Sequence, residues 1–347
     1  MAQVPFPFVD VAGDHRDIGV QFGQAAAEGI RCFLELIVRD AAAARQWTRA
    51  ETLQHALAFL PVFRQHCPQL LAEIEGLAAG ARISFAEALL LQVRGEVAHV
   101  GTGCSAFALS RAVTADGRAL AGQNSDMAPE MQELGLVLRI RPAAGPRLLL
   151  FTFPGLLGYH GLNSHGVAHF ANALPARPWR LALPHYPLKR LALATASVAE
   201  SLGLMARVPV CSTGNYVLAD GQGNIGDAEL APAGLTRWDG EGGWVVHTNH
   251  FLAAAEPGDV ALPDHAESVH RYERLRELVR ARLGSLDVAA MQAILSDHAG
   301  YPTSLCRHAE AAGSAKTIAS LIAEPERGLL HVAVGNPCQH EYSTYSL

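Results

Sequence analysis

Helical periodicity runs through the first hundred residues and stops at Cys104, where strand-length apolar runs take over. Before that point Asp17–Leu36 carries Ile18, Phe22, Ala25, Ala26, Ile30 and Phe33 at helical spacing. Pro68–Ala79 has proline in its first turn and a stripe of Leu70, Leu71, Ile74 and Leu77. Ser84 with Glu87 three residues on reads as a capping box for a helix over Phe85–Val97. After Cys104, strands are expected at Ser105–Arg111, Ala119–Asn124, Gly135–Arg141 and Arg147–Phe153, with Asp116-Gly117 turning between the first two. Further strands are expected at Val167–Asn172, Gly214–Ala219, Trp244–Thr248, Thr317–Ala323 and Leu329–Val334, with a turn at Asp220–Asn224. Helices should interrupt them at Tyr186–Leu204, Ala266–Leu283 and Asp287–Ser296, and the Pro/Arg-rich Pro175–Pro187 reads as a loop. Helices, then strands, then helices, then strands fit layered sheets covered by helices, an α+β class, and not a doubly wound parallel sheet.

Half of the 347 residues are hydrophobic and 17% are charged, enough for a large core in one domain or two intimate ones. Net charge is −6 and no Lys/Arg run tracks phosphates, so nucleic acid is excluded as a partner. The longest apolar runs are strand-length, which argues against a membrane partner. The N-terminus lacks a basic segment followed by an apolar one, and the expected location is the cytoplasm.

The six cysteines are widely spaced, and most should be buried thiols. Cys104 differs because Gly103 and Gly101 precede it at the switch from helix to strand. A thiol there could attack the Gly103 carbonyl, shift the acyl group from nitrogen to sulfur, and let water release the upstream chain. The freed α-amine would titrate near 7.7–8.0. It could then serve as the base for its own thiol. The residues by themselves fit a buried cysteine at the start of a strand equally well.

The ordered segments GCSAFAL, GQNSDM (Gly122–Met127), GLNSHGVAHFANAL (Gly161–Leu174), HTNHF (His247–Phe251), LSDHAGYPTSLCRH (Leu295–His308) and GNPCQHEY (Gly335–Tyr342) resemble the acyl-coenzyme A:6-aminopenicillanate acyltransferase family of N-terminal nucleophile hydrolases. More distantly, they are similar to conjugated bile salt hydrolases and acid amidases. GVQFGQAAA and the stretch from Pro68 to Glu96 extend the resemblance nearly end to end.

The resemblance implies a four-layer αββα sandwich. It implies self-cleavage between Gly103 and Cys104, giving an α-subunit of 1–103 and a β-subunit of 104–347 that stay associated. It implies roles for Asp126 beside the nucleophile's amine, for the Asn249 side-chain NH₂ as an oxyanion donor, and for Asn172 beside that hole through its backbone N–H. Gln123 stands where bile salt hydrolases carry arginine and sides with the penicillin-type acyltransferases. From the residues alone, Asp126 and Asn172 also read as turn residues. Glu229 and Arg271 match the family pattern and read equally as a structural ion pair or as substrate contacts.

His247 and His250 have metal-like spacing, but no further ligands complete a tetrahedral site around them in the sequence, so no metal and no cofactor are expected. Asp297-His298 suggests a triad with Cys104 or, with better reason, a buried structural hydrogen bond.

The expected function is amide hydrolysis of a small N-acyl compound through a Cys104 thioester, with acyl transfer to an amine as the alternative. A metal-dependent hydrolase and a non-catalytic binding protein are the competing classes. A homo-oligomer is left open.

Overall fold

A computed structural model describes residues 4–97, 103–174, 179–253, 266–310 and 314–347. Gly101 and the start of the Pro175–Pro187 loop lie outside the described residues. The chain opens with β1 (Phe8–Gly13), then α1 (His15–Ala25), α2 (Ala27–Arg45), α3 (Arg49–Leu57), α4 (Leu60–His66), α5 (Pro68–Ala81), α6 (Phe85–Gln92) and α7 (Arg94–Val97). Six strands follow: β2 (Gly103–Leu109), β3 (Leu120–Met127), β4 (Leu136–Pro142), β5 (Leu148–Thr152), β6 (His160–Asn163) and β7 (Val167–Ala173). After α8 (His185–Ala192) and α9 (Val198–Arg207) come β8 (Gly214–Asp220), β9 (Ile225–Ala231), β10 (Gly234–Trp238) and β11 (Trp244–His247). The chain finishes with α10 (Ala266–Arg280), α11 (Val288–Leu295), β12 (Lys316–Glu324), β13 (Leu329–Val334) and β14 (Tyr342–Ser346).

The strands form two sheets, one of eight in the order β1-β4-β5-β6-β7-β8-β9-β10 and one of six in the order β11-β2-β3-β12-β13-β14. All pairings are antiparallel except β1 with β4. The sheets stack face to face, with β2 and β3 against β7 and β8. Helices α1 and α9 cover the eight-stranded sheet, and α10 and α11 cover the six-stranded one. The result is the αββα order of layers. Strands such as β2, β3, β5 and β8 are buried at every residue because both faces are covered, so they lack the in-out alternation of a half-exposed strand.

Two cores result. The larger, with Ala106, Ala108, Phe151 and Phe170, lies between the sheets and beneath the N-terminal helices. The smaller, with Phe107, Leu109, Leu275 and Ile294, lies between the six-stranded sheet and α10–α11. The alternation of Ala106, Phe107, Ala108 and Leu109 between these cores fixes which way β2 presents Cys104.

The structure redraws several expected boundaries. Asp17–Leu36 is two helices broken at Ala26, although the apolar spacing continues across the break. The capping box at Ser84 is present, but that helix stops after Gln92, whose side chain is drawn out to Gly155 O and Leu157 N. Tyr186–Leu204 is also two helices. Asn163 donates to the carbonyls of Leu193 and Thr195, and Ser197 caps the second helix by accepting from Glu200 N. The Ser-x-x-Glu signature of that cap stood in the sequence. β1, β6, β10 and β14 were not expected, being short or polar.

Candidate active site

Strand register brings the site residues together. β2 and β3 pair Gly103 with Asp126, Cys104 with Ser125 and Ala106 with Gln123. β11 flanks β2 on its other edge and ends at His247, opposite Ala106, which delivers Asn249 just beyond. β7 of the facing sheet brings Asn172 across the interface. Cys104 is 4% exposed.

Both backbone polar groups of Cys104 are held by side chains. Its N–H donates to Asn249 Oδ1 at 2.8 Å. Its C=O accepts from Asn172 Nδ2 at 3.1 Å and from the Arg271 guanidinium at 2.9 Å. The same guanidinium reaches Ser105 Oγ at 2.9 Å and Asn249 Oδ1 at 3.0 Å. The orientation of Asn249 follows from its partners: its oxygen meets two donors, and its NH₂ donates to Ala173 O at 2.9 Å. Gln123 Nε2 stands 3.9 Å from Cys104 Sγ, and its Oε1 accepts from Ala171 N.

Asp126 has one oxygen occupied, accepting from Thr317 Oγ1 at 2.7 Å. The other, Oδ2, is buried without a hydrogen-bond partner. It faces Gly103, where an added Cβ would lie 3.1 Å from it and 3.4 Å from an Arg307 nitrogen.

Burial dominates the electrostatics. It pushes the Cys104 thiol up to about 11, and the Asp126 charge adds to the rise. Burial likewise raises the Asp126 carboxyl, against the pull of Arg271, and lowers the Arg271 guanidinium. Lys189 is brought down to about 8 by burial, while the Cys104 thiolate favours its charged form. Its ammonium packs over the Tyr159 and Tyr186 rings. A thiol held this high is a weak nucleophile until a nearby base removes its proton.

The sequence thus brought Cys104, Gly103, Asp126, Gln123, Asn172 and Asn249 into one list, and the structure brings all six to one place. The two asparagines also meet Cys104 itself. Asn172 reaches Cys104 O with its side-chain NH₂. The Asn249 NH₂ is engaged by Ala173 O, while its oxygen holds the Cys104 N–H.

Arg271, which the sequence left open, is placed in the site. Arg271 had a readable signal. It shares the buried stripe of α10 with Ser268, Tyr272, Leu275 and Val279, where an arginine is expensive unless it has work to do. Glu229 proves structural: it pairs with His247 Nε2 at 3.1 Å and accepts from the Leu252 and Ala253 amides. The other His247 ring nitrogen meets Thr248 O, and His250 meets Ser268 Oγ, so these two histidines brace a loop. Asp297 is taken by Arg274 and the Ala299 amide, and His298 faces His308, so these two do not form the expected hydrogen bond with each other.

Comparison with known proteins identifies the family. Residues 99–339 match the family model described as acyl-coenzyme A:6-aminopenicillanic acid acyl-transferase. The 40 kDa form of the acyl-coenzyme A:6-aminopenicillanic-acid acyltransferase of Emericella nidulans is 26% identical over 336 residues, 95% of this chain and 92% of that protein. Among solved structures, a variant of the conjugated bile acid hydrolase of Clostridium perfringens aligns with a TM-score of 0.49 and 17% identity, covering 70% of this chain and 97% of that one. The penicillin V acylase of Agrobacterium tumefaciens aligns with a TM-score of 0.37 and 14% identity, covering 68% and 75%.

Proposed function

This chain belongs to the acyl-coenzyme A:6-aminopenicillanic acid acyl-transferase family, and from that premise we propose that it is a self-processing cysteine amidohydrolase acting on a small N-acyl amide. The observation that carries the reading is the clamp on Cys104. Asn249 holds its N–H, Asn172 and Arg271 hold its C=O, and Asp126 Oδ2 waits without a partner beside Gly103. These groups hold the reacting residue still and leave one carboxylate oxygen free at the bond to be cut.

In the first reaction Cys104 Sγ attacks the Gly103 carbonyl carbon. The C–N bond to Cys104 breaks as its nitrogen takes up the thiol proton, leaving a thioester. Water then hydrolyses the thioester, giving the Gly103 carboxylate and the free thiol. The new α-amine stays within reach of Asn249 Oδ1, and departure of Gly103 opens Asp126 Oδ2 to it.

In the second reaction the neutral amine accepts the thiol proton and the thiolate attacks the substrate amide. The leaving amine departs with that proton, and water releases the acyl group from sulfur. Gln123, 3.9 Å from the sulfur, is assigned to the substrate side. The Asn249 NH₂ serves as oxyanion donor once it is freed from Ala173 O, a role whose removal costs about 2.7–4 kcal/mol in comparable holes. Acyl transfer is the second reading, favoured by the family description. It differs only in that an amine takes the place of water at the thioester.

The fragments 1–103 and 104–347 would remain one particle. β1 belongs to the first fragment yet pairs with β4 of the second, and Glu73 of the first forms a buried pair with Arg190 of the second. Among the described residues no helix is long and apolar enough to cross a membrane.

Intact-mass measurement of purified protein tests the reading. Two co-eluting chains split between Gly103 and Cys104, and one uncut chain for Cys104→Ala, are expected. An uncut wild type, or a cut Cys104→Ala, would refute it. Product analysis with and without an added amine acceptor separates hydrolysis from transfer.

A further inference from the structure

A second cluster of reactive side chains lies apart from the Cys104 clamp, where the connection between α11 and β12 meets the turn between β13 and β14. His298, Cys306, His308 and Cys338 each offer one ligand atom, and the four atoms lie within 4.8 Å of one another. The two imidazole Nε2 atoms are 3.1 Å apart. Cys306 Sγ is 3.6 Å from His308 Nε2 and 3.4 Å from Cys338 Sγ. Cys338 Sγ is 3.4 Å from His308 Nε2.

These separations have a geometric meaning. A tetrahedral zinc ion holds sulfur at about 2.3 Å and imidazole nitrogen at about 2.0–2.1 Å, which sets ligand-to-ligand edges of roughly 3.3 Å for N–N, 3.5 Å for N–S and 3.8 Å for S–S. The four observed edges fall within about 0.4 Å of these values, and the two between His298 and the sulfurs are no longer than 4.8 Å. The sulfurs are far outside the 2.03–2.05 Å of a disulfide bond.

The surroundings also fit. Asn336 Nδ2 donates to Cys306 Sγ at 3.4 Å and to Arg307 O at 2.7 Å, the kind of outer partner that orients a thiolate ligand. Cys306 is buried, whereas His298 and Cys338 are exposed, which leaves a path for the ion.

We propose that His298, Cys306, His308 and Cys338 form a structural zinc site of the Cys₂His₂ type. Four protein ligands fill a tetrahedral shell and leave no position for substrate or water. Binding displaces one proton from each thiol, and the neutral imidazoles bind through Nε2.

The ion ties the loop from His298 to His308 to the end of the six-stranded sheet. That loop presents Leu305 O to Asn124 of β3 and the Arg307 N–H to Thr317 Oγ1, which in turn donates to Asp126. The metal therefore braces the frame behind Asp126 and takes no part in the chemistry. The sequence conceals the site because its ligands are spread over forty-one positions.

The test uses the full-length protein purified without chelator. Metal analysis should find one zinc per chain. Cobalt(II) exchanged into the protein should give the intense visible bands of a tetrahedral ion together with a thiolate-to-cobalt charge-transfer band. Cys338→Ser and His298→Ala, both at exposed positions, should each lose the zinc and the tetrahedral thiolate spectrum. Cys104→Ala should keep both, which separates this site from the proposed nucleophile. Chelator should lower the melting temperature of the wild type and leave that of Cys338→Ser unchanged. A Cys306–Cys338 disulfide in protein purified under reducing conditions, cobalt spectra without thiolate bands, or zinc retained at full stoichiometry in both variants would overturn the proposal.

Discussion

Replacing Arg271 with methionine separates positioning at Cys104 from folding. The guanidinium donates to Cys104 O, Ser105 Oγ and Asn249 Oδ1 at 2.9, 2.9 and 3.0 Å. Hydrogen bonds from a charged donor contribute about 1.5–3 kcal/mol each. Two of the three acceptors keep a second donor in the variant: Cys104 O keeps Asn172, and Asn249 Oδ1 keeps the Cys104 N–H. Methionine fills similar volume, and the desolvation cost of the buried cation disappears with it. The fold should therefore lose little, with a melting temperature within a few degrees of the wild type. The reacting geometry loses the fork that locks the Cys104 carbonyl to the Asn249 side chain. A loss of about 2–3 kcal/mol in the transition state corresponds to self-cleavage slower by roughly 30- to 150-fold.

The pH profile should move as well. Arg271 favours the ionised form of Asp126, whose carboxyl is already raised by burial. Without that cation the carboxyl titrates higher, and the acid limb of self-cleavage shifts to higher pH. Arg271→Lys keeps the charge but not the fork, and should fall between the two. The assay follows loss of the uncut chain in freshly synthesised protein by gel and intact mass, beside thermal unfolding of each variant. A folded Arg271→Met protein that cuts itself within threefold of the wild-type rate would refute the reasoning.

Three further outcomes are expected. Glu73, with 1% side-chain exposure, meets Arg190 at 2.9 and 3.1 Å across the two proposed fragments, so Glu73→Ala should cost about 3–5 kcal/mol by leaving a buried cation unpaired, read by urea unfolding. Gly76→Ala should lower stability by at least about 1–3 kcal/mol, since the new Cβ would lie 2.2 Å from Arg16 O where α1 and α5 touch backbone to backbone. Burial raises the Asp227 carboxyl from 3.8 to about 7. The folded chain therefore retains a proton that the unfolded chain has already released, and stability falls as pH rises through that window. Asp227→Asn should remove a slope of up to about 1.4 kcal/mol per pH unit there, measured by denaturant titration at several pH values.

Much of this protein could be read from the chain by itself. The change from 3.6-residue periodicity to strand-length apolar runs at Cys104 located the start of the strands that follow the N-terminal helices, because periodicity is a local property of the backbone. The Ser84 capping box likewise needed only four neighbouring residues. The list Cys104, Asp126, Asn172 and Asn249 came from ordered motifs that resemble a family, and not from any local rule.

Other features depended on approach in space. Asn163 of β6 holds the break between α8 and α9 by donating to the carbonyls of Leu193 and Thr195, just past the end of α8. The roles of the two site asparagines turned on which of their atoms meets Cys104. Arg271 lies 167 residues from Cys104 in sequence, and only the packing of α10 on β2 turns a charged residue on a buried stripe into a clamp. The four ligands of the proposed zinc site meet for the same reason. Sequence determines which chemistry each residue can offer and which local elements it favours. Strand register and the stacking of layers decide which of those offers meet, because contacts made across sheets leave no periodic trace in the chain.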